Sequence, residues 1–147
     1  MILRIVFLFL FCFLSPPLLA ASYGPYQLNE VSATDGDTVV AEIDIWFGLR
    51  VTSLIRISGI DTPELKGNGS RVIPPCEKVL AKNAMDFTIK WIGASKKIIA
   101  SHIRKDKYFG RIEAQIADEK GGLLAGALLA AGHARPYAGG ARQLWCQ

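Results

Sequence analysis

Apolar residues are distributed along this chain in three different periods. From Ile5 to Leu14 they run without interruption, preceded by a single positive charge at Arg4 and stopped by Ser15-Pro16-Pro17. Leu18-Leu19-Ala20-Ala21 then offers small residues for cleavage. A short basic start, an apolar run too brief for a comfortable bilayer span and a small-residue exit predict a secretory signal peptide over residues 1–21. Cleavage is expected after Ala20 or Ala21; the alternative is an uncleaved N-terminal anchor, the one case in which a membrane is a partner. Cys12 lies inside the run with no small-residue lipobox before it, so lipid attachment is not expected.

Beyond residue 21 the period changes to two. Pro25 to Ser32 leads into a first strand, and Asp35-Gly36 is a turn signal. Thr38 to Phe47 is rich in β-branched and aromatic residues, and its second half sets Ile43 and Ile45 against Glu42, Asp44 and Trp46. Gly48 turns the chain into a strand from Val51 to Ile60, where Ile55 and Ile57 share one face and Arg56 takes the other. Lys66 to Pro75 is a Gly-, Asn- and Pro-containing loop carrying Lys66 and Arg71. Then the period becomes helical. Pro75 suits a first helical position, Leu80, Ala84, Phe87 and Trp91 recur on one face, and Gly93 stops the run, which predicts a helix from Cys76 to Ile92. Strands follow at Lys97 to Ile103 and Arg111 to Ala117, then a short apolar helix from Leu123 to Ala131 closed by Gly132, and an irregular tail from His133. Three strands, a helix, two strands and a helix predict an α+β, β-rich domain over residues 22–147. The pattern is that of a five-stranded OB-fold barrel with a helix between strands 3 and 4 and a short C-terminal helix. Such barrels present one face and its loops to oligonucleotides.

Charge and cysteine content refine this only slightly. The formal net charge is +4, one less once Arg4 is set aside, which is compatible with a polyanionic partner without requiring one. Of three cysteines, Cys76 and Cys146 remain after the signal. An even count in an exported chain favours a disulfide, with two free thiols as the alternative.

Two acidic clusters at strand edges carry the candidate chemistry: Asp35-Gly36-Asp37-Thr38 and Ile60-Asp61-Thr62-Pro63-Glu64. Asp37, Asp61, Glu64 and the Thr62 carbonyl are the inventory for holding one hard divalent cation while keeping a carboxylate free as a base. With Arg56 and Arg111 they suggest a phosphate ester as substrate. Each piece alone has a plainer reading. Asp35-Gly36 is a common hairpin turn, Asp61-Thr62-Pro63 a strand-ending turn, and Asp106 with Arg111 a surface pair worth little. His102 and His133 lack partners at ligand spacing, and Trp46, Trp91 and Trp145 suit core or hairpin packing.

The combination resembles the thermonuclease (staphylococcal nuclease-like) family of exported bacterial nucleases. The likeness is carried by Asp35-Gly36-Asp37-Thr38, by Ile55-Arg56-Ile57-Ser58-Gly59-Ile60 running into Asp61-Thr62-Pro63-Glu64, by Asp106-Lys107-Tyr108-Phe109-Gly110-Arg111, and by the helix up to Gly132 followed by Ala134-Arg135-Pro136-Tyr137. It spans Tyr26 to Tyr137. It implies Ca²⁺ held by Asp37, Asp61 and the Thr62 carbonyl, with Glu64 as general base and Arg56 and Arg111 on the phosphate. Tyr108 and Tyr137 are then candidates for the substrate pocket. The implied reaction is hydrolysis of the 5′ P–O bond in DNA and RNA, leaving 3′-phosphate ends, in a secreted or periplasmic setting. Three departures stand out. The segment between the first two motifs is longer, which extends the hairpin around Gly48; Phe109 is an extra residue beside Tyr108; and where the family has a last helix this chain has Trp145-Cys146, with a Cys76–Cys146 bridge expected in its place. The alternatives are a non-catalytic nucleic-acid-binding OB module and an oligosaccharide- or protein-binding one.

Overall fold

The computed structural model describes residues 22–67 and 71–146. The signal-peptide segment and its cleavage site lie outside the described residues. Five strands close into a barrel: β1 (Tyr26–Ala33), β2 (Thr38–Trp46), β3 (Leu49–Ile57), β5 (Ile98–Lys105) and β6 (Arg111–Asp118). Two short pieces, β4 (Ile60–Asp61) and β7 (Arg135–Pro136), pair antiparallel outside it. Helix α1 (Pro75–Ala94) lies between the third and fourth barrel strands, and helix α2 (Leu124–Ala130) follows the fifth. This is an OB-fold-like barrel with the helices where the sequence pattern puts them.

The barrel order is β1-β2-β3-β6-β5. All neighbours are antiparallel except β3 and β6, whose parallel pairing closes the cylinder. A meander read along the sequence gives only antiparallel pairs; the parallel one arises because α1 reverses the chain before β5 and β6 enter. The ladders carry three register shifts: one at the β2–β3 hairpin tip between Asp44 and Trp46, and two bulges that bend the strands for closure, in β1 between Asn29 and Ser32 and in β5 between Ser101 and Arg104. Each of these two bulges holds a residue with positive φ, Glu30 and His102, as expected where an extra residue raises local twist.

Inside, Ile55, Ile57 and Ile116 from the strands and Leu124 and Leu128 from α2 are essentially inaccessible. Burying each such side chain contributes about 1.5–3 kcal/mol. Ile43 joins them, but Ile45 does not: the β2–β3 hairpin outruns the barrel there, and its tip at Trp46 and Phe47 stands in solvent. The alternation that marks Ile43 as buried continues past the point where there is a core to face. Ile57 ends β3, and Gly59 turns the chain before Ile60–Asp61 restarts as β4, so the predicted strand from Val51 to Ile60 is divided.

Helix α1 follows its apolar pattern only in part. Its buried residues are Glu77, Ala81, Ala84 and Thr88; Leu80 is exposed, and Phe87 and Trp91 only flank the core. The reason is close approach. A Cβ on Gly36 would come within 2.7 Å of the Ala84 Cβ and 2.8 Å of the Thr62 Oγ1, so the β1–β2 turn admits only small side chains on the facing helix. Thr88 Oγ1 donates to the Gly36 carbonyl at 2.7 Å. The helix therefore presents small residues to the turn that carries Asp37. Cys76, at the start of α1, is bonded to Cys146, with Cα atoms 6.4 Å apart. No helix among the described residues is long and apolar enough to cross a membrane.

Candidate active site

The turn from Thr34 to Thr38 is closed by backbone bonds from Thr34 and Asp35 to the Thr38 carbonyl, at 2.9 and 3.3 Å, while Asp35 Oδ1 accepts the Asp37 N–H at 3.1 Å. That local closure sends the Asp37 side chain inward. Asp37 Oδ2 accepts the Thr62 N–H at 2.9 Å, joining the two acidic clusters directly. Asp37 Oδ1 accepts the Thr38 hydroxyl and pairs with Arg56 Nη1.

Arg56 is the hub. It lies on the β3 face opposite Ile55 and Ile57, as alternation requires, but that face is covered and the residue is only 8% exposed. Its Nη2 donates to the Ile60 carbonyl at 2.8 Å and lies 3.6 Å from Asp61 Oδ1. Asp37 from the β1–β2 turn and Asp61 from β4 thus converge on one guanidinium. Burial, then the like charge of Arg142, lowers the Arg56 pKa, against the pull of Asp61 and Asp35. Burial likewise pushes the Asp35 carboxyl up, partly offset by Arg56.

Glu64 is positioned from α1. Its N–H donates to Glu77 Oε1 at 3.2 Å, and Arg71 Nη2 reaches both Glu77 oxygens at 2.9 Å. Glu77 is 1% exposed, a charge that only a paired partner makes tolerable. Sequence reasoning missed this pair. A carboxylate in the first turn of a Pro-opened helix was its one available signal.

On the opposite wall Arg111 Nε pairs with Asp106 Oδ2. Burial pushes the Asp106 carboxyl up, but hydrogen bonding from Arg111 and attraction to its charge outweigh that and hold it below the usual carboxylate range. The surface contact that was the plainer alternative for these two residues is a partly buried pair. The Arg111 guanidinium carbon also lies 4.8 Å from the Tyr108 ring centre, so Phe109 does not separate these two residues. Tyr137 donates its hydroxyl to the Gly140 carbonyl at 2.7 Å.

Arg56, Glu64, Tyr108, Arg111 and Tyr137 line one open cleft of about 1210 Å³, whose lining carries seven Lys and Arg against three Asp and Glu. Asp37 and Asp61 do not line it. They are buried beside it, behind Arg56. Five of the residues expected from the sequence thus share one cleft, and Asp37, Asp61 and Thr62 lie buried next to Arg56, tied to it or to one another by the Asp37 contacts.

The donor set suits a hard cation in part. Asp61 Oδ1 is buried without a well-aligned hydrogen-bond donor, although two guanidinium groups stand near it, Arg142 Nε at 3.1 Å and Arg56 Nη2 at 3.6 Å. A buried carboxylate oxygen lacking a directional partner fits a cation. Among the described residues no three His, Cys, Asp or Glu side chains form a metal-holding group, so a cation here would need backbone oxygen and water beside Asp37 and Asp61.

Arg142 is a further residue that sequence reasoning did not find. It comes from the irregular tail and pairs with Glu64 Oε1 through Nη1 while approaching Asp61 through Nε. Nothing in the surrounding Gly-Ala-Arg-Gln sequence marks it. No protein-family model matches this chain, and no curated protein matches it.

Proposed function

We propose that this domain is an exported, Ca²⁺-dependent endonuclease of the thermonuclease type, hydrolysing phosphodiester bonds of DNA and RNA. The observation that carries the reading is the convergence of Asp37 and Asp61 on Arg56, with Glu64 beside them at the edge of a basic cleft. A polyanionic strand is drawn to such a cleft by focused positive potential.

A phosphodiester is already anionic, so hydrolysis must add a nucleophile and disperse further charge. Asp37, Asp61 and the Thr62 carbonyl would hold Ca²⁺, which when bound supplies charge neutralisation at a phosphate oxygen. Arg56 and Arg111 donate to the remaining phosphate oxygens, most strongly as charge develops there. Asp106 fixes the Arg111 guanidinium, so less freedom is lost when the phosphate arrives. Glu64 takes the proton of the attacking water. Tyr108, braced by Arg111, and Tyr137 border the strand. The products expected are 3′-phosphate ends.

Export is supported by the Cys76–Cys146 disulfide, which persists in oxidising compartments. One observation favours a second reading, a nucleic-acid-binding module without catalysis: in this arrangement Asp37, Asp61 and Glu64 all have arginine neighbours, so their charge is compensated without a metal ion. Release of acid-soluble nucleotides in Ca²⁺, blocked by a chelator, separates the two; retention of nucleic acid without release favours the module.

A further inference from the structure

The tail beyond Tyr137 is anchored at several points. Arg135 stacks on the Trp145 ring at 4.0 Å and donates to the Leu144 carbonyl at 3.0 Å; Trp145 Nε1 donates to Asp61 Oδ2 at 3.4 Å; and Cys146 is bonded to α1. Between these anchors the tail delivers one charged side chain, Arg142, onto Asp61 and Glu64. These are a cation ligand and the general base of the reading above. Both carboxylates are largely withdrawn from water, so the pairing is less screened than a surface ion pair.

We propose that Arg142 is a further residue of this site, a resident counter-charge that a divalent cation must displace before Asp61 can bind it and Glu64 can act as a base. The inference rests on the proposed cation site. The tether matters as much as the charge. Held at Trp145 and Cys146, the guanidinium competes as an intramolecular ligand, at an effective concentration no free arginine reaches. When the competent state is populated a tenth of the time, apparent cation affinity falls about tenfold. The device keeps the two carboxylates compensated without metal and ties activity to ambient calcium.

The test is Tb³⁺ titration of the full domain. Trp145 lies close enough to Asp61 to sensitise lanthanide emission, and displacement of Tb³⁺ by Ca²⁺ gives the calcium affinity without any substrate. Arg142→Gln is expected to bind about tenfold more tightly than wild type, Arg142→Lys to fall back toward wild type, and Lys66→Gln, which removes a cleft charge away from Asp61, to change affinity less than threefold. A Cys76→Ser/Cys146→Ser variant, which loosens the tether but keeps Arg142, is expected between wild type and Arg142→Gln. Asp61→Asn keeps the two hypotheses apart. If Asp61→Asn abolishes binding but Arg142→Gln leaves affinity equal or weaker, the counter-charge role is overturned and the cation site stands. If binding is indifferent to Asp61→Asn, the cation site fails and the inference fails with it.

Discussion

Glu64 and Arg111 are held in different ways, and the difference sets what their substitution does. Glu64 has its backbone fixed by Glu77, while among the described residues its side chain pairs with Arg142. Glu64→Gln is therefore expected to leave the fold intact and to lower nuclease turnover by at least about a hundredfold, the ordinary weight of a general base, measured with unchanged circular dichroism. Arg111 is oriented by Asp106, and Arg111→Lys loses the planar fork that both the carboxylate and a phosphate need. The Asp106 carboxyl also sets a pH window. Its folded pKa is depressed below the ordinary 3.8, so its stabilising contribution is present above that value and is lost as pH falls through the folded value. Urea unfolding of wild type and Asp106→Asn should differ at pH 6, and the gap should narrow steadily below about pH 4. A gap independent of pH would mean that the charge of Asp106 contributes nothing.

At the scale of elements, the turn carrying Asp37 and helix α1 form one device. Gly36 is there because α1 passes too close for a side chain, and Ala84 and Thr88 are small for the same reason. Gly36→Ala is expected to destabilise the fold by about 1–3 kcal/mol and to weaken cation binding as Asp37 shifts, read by denaturant titration and by Tb³⁺ binding. Most of the elements were legible in the sequence, because alternation and turn residues report a half-buried strand directly. Three features were not, or not wholly. The inward face of α1 was legible only in part: Ala84 is buried and Phe87 and Trp91 pack against the core, but Leu80 is exposed, because the helix turns the small and polar residues Glu77, Ala81 and Thr88 inward. The parallel β3–β6 pair depends on where α1 returns the chain, which no local signal encodes. Ile45 alternates correctly but overhangs the barrel. The carboxylates and arginines of the site were legible as types at turn positions. Their partners Glu77, Arg71 and Arg142 were not, because those pairings bridge separate elements.

For the whole molecule the decisive link is the disulfide. It closes a loop with a sequence separation of 70, for which the chain-entropy relation gives roughly 4 kcal/mol. The Cys76→Ser/Cys146→Ser variant should lose stability on that order, seen as a lower midpoint in urea. The same bond draws the tail across the cleft, so stability and the covering of Asp61 and Glu64 come from one covalent choice. Its loss is expected to weaken the fold while strengthening cation binding, two effects of opposite direction in a single variant.

The central claim is that this basic cleft cuts nucleic acid with calcium and Glu64. It is tested most directly by following acid-soluble nucleotide release from single-stranded DNA by the purified domain, with end-group analysis. The expected result is release in Ca²⁺ that a chelator stops, 3′-phosphate ends, and loss of both in Glu64→Gln. DNA bound in a gel shift but never cut, or cleavage that survives in Glu64→Gln, would contradict it.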